Sequence, residues 1–122
     1  MTTLIADRSR TTTGVLWAVT IATAAMFLMA GGSKLAGAPM MVQMFGVLGV
    51  GQWFRYLTGA IEVTGAALLL IPALATYAGL ALAATMVGAI ITHLFIVGGS
   101  PAVPIALLAA TMTIAWARRS GR

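Results

Sequence analysis

Apolar residues in this chain run on without alternating, and each run is long enough to form a helix. The runs cover residues 14–31, 53–71, 73–97 and 101–117. At 1.5 Å rise per residue, a run of about 20 residues crosses a hydrocarbon core of about 30 Å. Backbone groups in lipid must be satisfied within a helix or a closed barrel, and unalternating Ala/Leu/Ile/Val/Gly runs suit helices. The pattern predicts an all-α, integral membrane four-helix bundle forming a single domain over residues 1–122. Between the first two runs, residues 39–50 are apolar but too short to span and are broken by glycines, which predicts a short interfacial or re-entrant helix. Pro39 suits its first turn, Pro72 a tight turn between spans two and three, and Pro101 and Pro104 the start of span four.

Composition sharpens the class. Of the 122 residues 61% are hydrophobic and 7% charged, too little polar surface to cover a water-soluble globule. The mean hydropathy of +1.04 agrees. Arg8 and Arg10 before the first run imitate a signal peptide, but the run is longer than a usual signal core and lacks a clear A-x-A site, so a retained helix is expected. Basic residues near the span ends set orientation: Arg8, Arg10, Arg118, Arg119 and Arg122 at one side, against Lys34 and Arg55 in the connection between spans one and two. The expectation is a multi-pass protein of the cell (inner) membrane with both termini cytoplasmic. Trp17 and Trp116 would then lie at the inner interface, Trp53 and Tyr56 at the outer. The net charge of +5 is read as facing lipid, and no aromatic-interleaved basic patch points to nucleic acid.

Glu62, the single glutamate, carries the strongest chemical signal. A charge near the bilayer centre costs about 2.5–3.5 kcal/mol on an insertion scale, so it calls for a partner, a proton or a task. Glu62 lies about 13 Å inward from Trp53, and His93 about 6 Å inside the end of span three. Arg55 and Glu62, seven apart, share a helical face with Thr58, Gly59, Gly65 and Ala66. Counting back from Lys34 places Phe27, Thr23 and Thr20 on one stripe of span one, beside Gly31 and Ala30. Met86, Ala89 and Val97 share the face of His93, with a small-residue step at Ala84 and Gly88 nearby. These faces predict a polar pocket in the outer half, floored by Glu62, walled by His93 and the threonines, and roofed by Lys34, Arg55 and the interfacial helix. Glu62 and His93 are the candidate catalytic residues, and Lys34, Arg55, Thr23 and Phe27 the candidate ligand contacts. The same residues are equally those of a buried ion pair that fixes helix register.

Other chemistries find little footing. Without cysteine there is no disulfide or thiolate metal site, and one histidine builds no zinc site; haem through His93 and Cu(I) through Met26, Met29, Met40, Met41 and Met44 are disfavoured. No nucleotide or hydrolase fingerprint occurs. FLMAGGS (27–33) resembles LFIVGGS (94–100), as if both closed an outward-going helix.

The order of these segments resembles a family. AGGSKLAG ending the first helix, an M-F-G-V-L-G segment, R-Y-L-T-G-A-I-E-V-T-G-A-A-L-L-L-I-P in the second and M-V-G-A-I-I-T-H-L-F in the third are similar to the DoxX and DoxX-like membrane proteins. Lys34, Glu62 and His93 match the family's characteristic polar positions. The resemblance implies a four-helix membrane bundle. Among its members are subunits of thiosulfate:quinone oxidoreductase and partners in membrane redox complexes, while animal relatives serve receptor assembly or cargo.

The leading expectation is a redox-associated subunit that binds a quinone-like or other apolar ligand, His93 bonding a carbonyl and Glu62 relaying a proton. No electron carrier is evident in the chain, so redox partner subunits are implied, and a homo-oligomer is left open. Two alternatives stand beside it: a self-contained acid/base enzyme of isomerase or cyclase type, and a non-catalytic assembly or scaffold protein.

Overall fold

A computed structural model describes residues 2–120, with side chains from residue 10 to residue 120; Arg122 and the side chain of Arg8 lie outside the described residues. The described chain is helical: α1 (Thr2–Ala36), α2 (Pro39–Leu48), α3 (Gln52–Leu69), a 3-10 turn (Pro72–Leu74), α4 (Ala75–Thr92), a π-helical turn (His93–Val97) and α5 (Ala102–Ala117).

Glycines and prolines set the element ends, though not always those the sequence suggested. α1 does not stop at Gly31 but continues to Ala36, so Lys34 sits in its last turn instead of in a connection. Its true end is Gly37, in the left-handed region at φ 75°. There the amide of Ala38 donates to the Ser33 carbonyl (3.0 Å) and that of Gly37 to the Lys34 carbonyl (3.4 Å), the paired bonds of a Schellman cap. FLMAGGS therefore lies inside a helix, whereas LFIVGGS does end one, at Gly98 and Gly99 with φ 81° and 82°. The apparent repeat has no structural counterpart. α2 starts on Pro39 and closes on left-handed Gly49. Between α3 and α4, Ile71 is extended ahead of Pro72, as the proline ring requires of its predecessor. Beyond Thr92 the ladder widens, the Gly98 amide donating to the His93 carbonyl at 3.0 Å.

α1 packs on α3 and α5, and α4 packs on α3 and α5; α2 lies against α3, the π turn and the end of α1. The shared core holds Phe27, Leu69, Leu82 and Ile114, with Ala24, Ala66, Ala75, Ala78 and Met86 between them. Small residues let backbones approach. A Cβ on Gly65 would lie 2.7 Å from Leu82 Cδ2, and one on Gly79 would lie 2.9 Å from the Thr111 carbonyl oxygen. The α4 contact therefore uses Ala75, Gly79 and Ala83, all buried or in close contact. The expected step at Ala84 and Gly88 faces outward, with open space around Gly88. Which small step packs is decided by where α5 lies, a tertiary fact.

The outside of the molecule is apolar. Met29, Tyr77 and Phe95 are 72%, 73% and 79% exposed. Residues Arg10–Ala36 and Pro72–Val97 form helices long and apolar enough to cross a membrane.

Candidate functional site

The contact between α1 and α3 brings the charged residues together. Gly31 and Gly59 meet face to face: a Cβ on Gly31 would stand 2.8 Å from the Gly59 carbonyl oxygen, and one on Gly59 would stand 3.0 Å from the Gly31 carbonyl oxygen. With no side chain between them, the two backbones touch. One turn further along each helix, Lys34 and Glu62 then fall within reach of each other. The Lys34 ammonium lies 2.7 Å from Glu62 Oε1, with the two side chains 12% and 2% exposed. The carboxylate is sealed among α1 and α3; the ammonium keeps a narrow opening.

Arg55 is buried on the same face of α3 but has a different partner. Its Nη1 donates to the Lys34 carbonyl and its Nε donates to Gln52 Oε1 at 2.7 Å. A cation there meets the negative end of the α1 dipole and adds a second donor to a carbonyl that the α1 cap engages only through the long Gly37 bond of 3.4 Å. The guanidinium also stacks on Tyr56, 4.3 Å from the ring centroid. Gln52 passes the network on, its Nε2 donating to the Val42 carbonyl in α2 at 3.0 Å. Thus Lys34 serves twice, through its ammonium to Glu62 and through its carbonyl to Arg55, and three helices are joined by one run of polar contacts.

The remaining candidates sit apart from the pair. Phe27 is wholly buried in the core, and Thr20 and Thr23 are buried on the same stripe of α1, as their spacing predicts. The Thr20 hydroxyl donates to the Leu16 carbonyl of its own helix at 2.7 Å. His93 is half-buried at the start of the π turn, its Nδ1 3.0 Å from the Gly98 carbonyl oxygen. Its described partner is thus the end of its own helix. Two apolar grooves of about 360 Å³ each occur elsewhere: one between α1 and α5, with Thr23 and Met26 on one wall and Val103 and Leu107 on the other, and one between α3 and α4 beside Tyr77. Neither is lined by Lys34, Arg55, Glu62 or His93. Among the described residues no group of three or more His, Asp or Glu could hold a metal ion.

Sequence reasoning missed Gln52. The signal was present: it stands three residues before Arg55, on the same face, at the first helical position after Gly51. At the opposite end of the helices, Arg118 lies over Trp17 at 5.0 Å and Arg119 over Trp116 at 4.1 Å. Arginine and tryptophan thus mark that end as Trp53, Tyr56 and Arg55 mark the other.

Long apolar helices, an apolar exterior and one sealed ion pair define a small helical membrane protein. The model of the DoxX-like family matches residues 18–117, and the chain belongs to that family. Comparison with curated proteins and with solved structures gives no match.

Proposed function

We propose that the chain is an accessory, non-catalytic subunit of a membrane assembly, in which α1, α3, α4 with its 3-10 and π ends, and α5 cross the bilayer as a four-helix bundle. The observation that carries this reading is the Lys34–Glu62 pair itself, closed at 2.7 Å with the carboxylate 2% exposed. A sealed, paired carboxylate is suited to fixing register and poorly placed to exchange protons with a substrate. The shorter helices fit the membrane with modest adjustment: α3 with 18 residues and α5 with 16 extend about 27 and 24 Å, and flanking Trp and Arg side chains with local thinning absorb the difference. Both pack alongside longer helices whose own length suffices. Arg10, Arg118 and Arg119 at one end favour a cytoplasmic location for both termini in the cell membrane, with α2 at the outer interface.

The test is a charge exchange. Lys34→Glu and Glu62→Lys each lower the yield of folded protein from membranes, and the double exchange restores it. A double variant no better than either single one overturns the structural role.

One observation favours a second reading, the redox-associated subunit with a quinone-like ligand. The α1/α5 groove beside Thr23 offers such a ligand an apolar bed of about 360 Å³. Native mass spectrometry of protein purified in mild detergent separates the two. A quinone that co-purifies and is lost on Ala106→Phe, which fills the groove, with the fold intact, replaces the accessory reading. The acid/base pairing of Glu62 with His93 draws no support from the described contacts, which tie His93 to Gly98.

A further inference from the structure

We infer that Arg55 anchors an oxyanion-binding site at the Trp53 end of the bundle, where α1 ends and α3 begins. The balance of charge leads there. The chain has two acidic residues, Asp7 and Glu62. Glu62 is closed on Lys34, and Asp7 lies about 40 Å back along α1. Two cations, Lys34 and Arg55, therefore share one carboxylate. Helix dipoles do not make up the difference: the C-terminus of α1 offers about half a negative charge, and the N-terminus of α3, whose first turn carries Arg55, about half a positive one. Roughly one positive charge is left over, on a side chain only 5% exposed.

A buried cation without a counter-charge is costly, and an anion is its remedy. Arg55 also has hydrogen bonds left to give. Its Nε is taken by Gln52 and its Nη1 by the Lys34 carbonyl, while Nη2 has no hydrogen-bond partner among the described residues. Those two bonds and the Tyr56 ring at 4.3 Å hold the guanidinium in place. Gly37 lies beside its far edge: a Cβ there would stand 3.6 Å from Nη1 and 4.0 Å from Nη2. Glycine keeps that flank clear. The two amino groups along the edge of a fixed, planar fork match the paired oxygens of an oxyanion. One negative charge balances the site, and the exposed rings of Tyr56 and Trp53 put it at the depth where lipid headgroups lie. The ligand that fits is a singly charged oxyanion such as the phosphodiester of an anionic lipid; inorganic phosphate brings the same chemistry from the aqueous side. The site goes beyond the accessory role and does not rest on it: the charge exchange tests register, the experiment below tests anion binding.

The test is thermal unfolding of the full chain in a neutral detergent, followed by circular dichroism. The added probes are phosphatidylglycerol, phosphatidylcholine with the same acyl chains, and inorganic phosphate. A ligand that binds only the folded state raises Tm with its concentration, which yields an apparent Kd. Wild type should bind phosphatidylglycerol more tightly than phosphatidylcholine where the anion comes from lipid, and should respond to millimolar phosphate where it comes from solution. In either case Arg55→Lys, which keeps the charge and loses the fork, should weaken binding about tenfold, the loss of one charge-assisted bond. Tyr56→Leu, at a ring 51% exposed, should weaken it severalfold with the fold intact, so the outcome does not hang on Arg55→Lys alone. Arg119→Gln, at the opposite end of the helices, should leave it unchanged. An equal response of wild type to both lipids with none to phosphate overturns the site. So does an anion response that Arg55→Lys and Tyr56→Leu leave as it was, or that Arg119→Gln removes.

Discussion

Replacing Lys34 by methionine removes the ammonium while keeping most of the side-chain volume, and leaves Glu62 sealed without its partner. At 2.7 Å, the attraction between the two charges is about 6 kcal/mol for an effective dielectric of about 20, before either charge's loss of solvent is counted. Breaking a buried pair by removing one member costs about 3–5 kcal/mol in measured cases, because the remaining charge is stranded. Lys34→Met should fall in that range, since only 2% of the Glu62 side chain reaches the surface. Glu62→Gln should cost less, about 1–3 kcal/mol, because the amide oxygen still accepts a bond and the 12% exposed lysine can bend its long stem toward the helix end. The double variant Lys34→Met/Glu62→Met should lie close to wild type or above it, both charges having been replaced by apolar groups of similar size. The assay is reversible unfolding in mixed micelles with rising SDS, followed by far-UV circular dichroism, with Lys34→Met, Glu62→Met and their double variant forming the double-mutant cycle. A coupling below about 0.5 kcal/mol would refute the reasoning, because residues in direct contact couple by more than that.

The glycine contact and the α1 terminus give two further expectations for the same assay. Gly31→Ala should cost about 1–3 kcal/mol through overpacking, its Cβ 2.8 Å from the Gly59 carbonyl oxygen, whereas Gly88→Ala, with nothing within 4 Å, should be neutral or stabilising by up to about 1 kcal/mol from helix propensity. Gly37→Ala should cost about 1–2 kcal/mol, because alanine resists φ 75°.

The helical runs were legible because lipid imposes one rule on the backbone, and the pairing of Glu62 was legible because a charge in an apolar run requires an opposite charge nearby. Glycine was where reading failed. Gly31 and Gly37 look alike in sequence, yet one brings two helices together and the other ends one, a distinction that resides in φ and in what lies opposite. Ala84 and Gly88 failed for a related reason: α4 offers more than one small-residue step, and its choice is made by the position of α5. The π turn leaves no mark in the periodicity, so a face counted at 3.6 residues per turn through His93 to Val97 loses its phase. Arg55 was placed on the correct face of α3, but its bond to the Lys34 carbonyl was invisible until the end of α1 was known.

These features together explain why a costly pair persists at this contact. In lipid, apolar helices gain little from hiding apolar surface, so α1 and α3 are held by close packing between small residues. A smooth contact of that kind at Gly31 and Gly59 does little to stop the helices sliding by a turn, and α3 repeats small residues at Gly65 and Ala66. One ion pair resists sliding, because any shift that moves Lys34 from Glu62 strands two charges at once. The pair is thus worth more to register than to stability. The methionine double variant and the charge exchange must be read together: the first can be as stable as wild type and still pack in more than one register, while only the second restores both stability and a single arrangement.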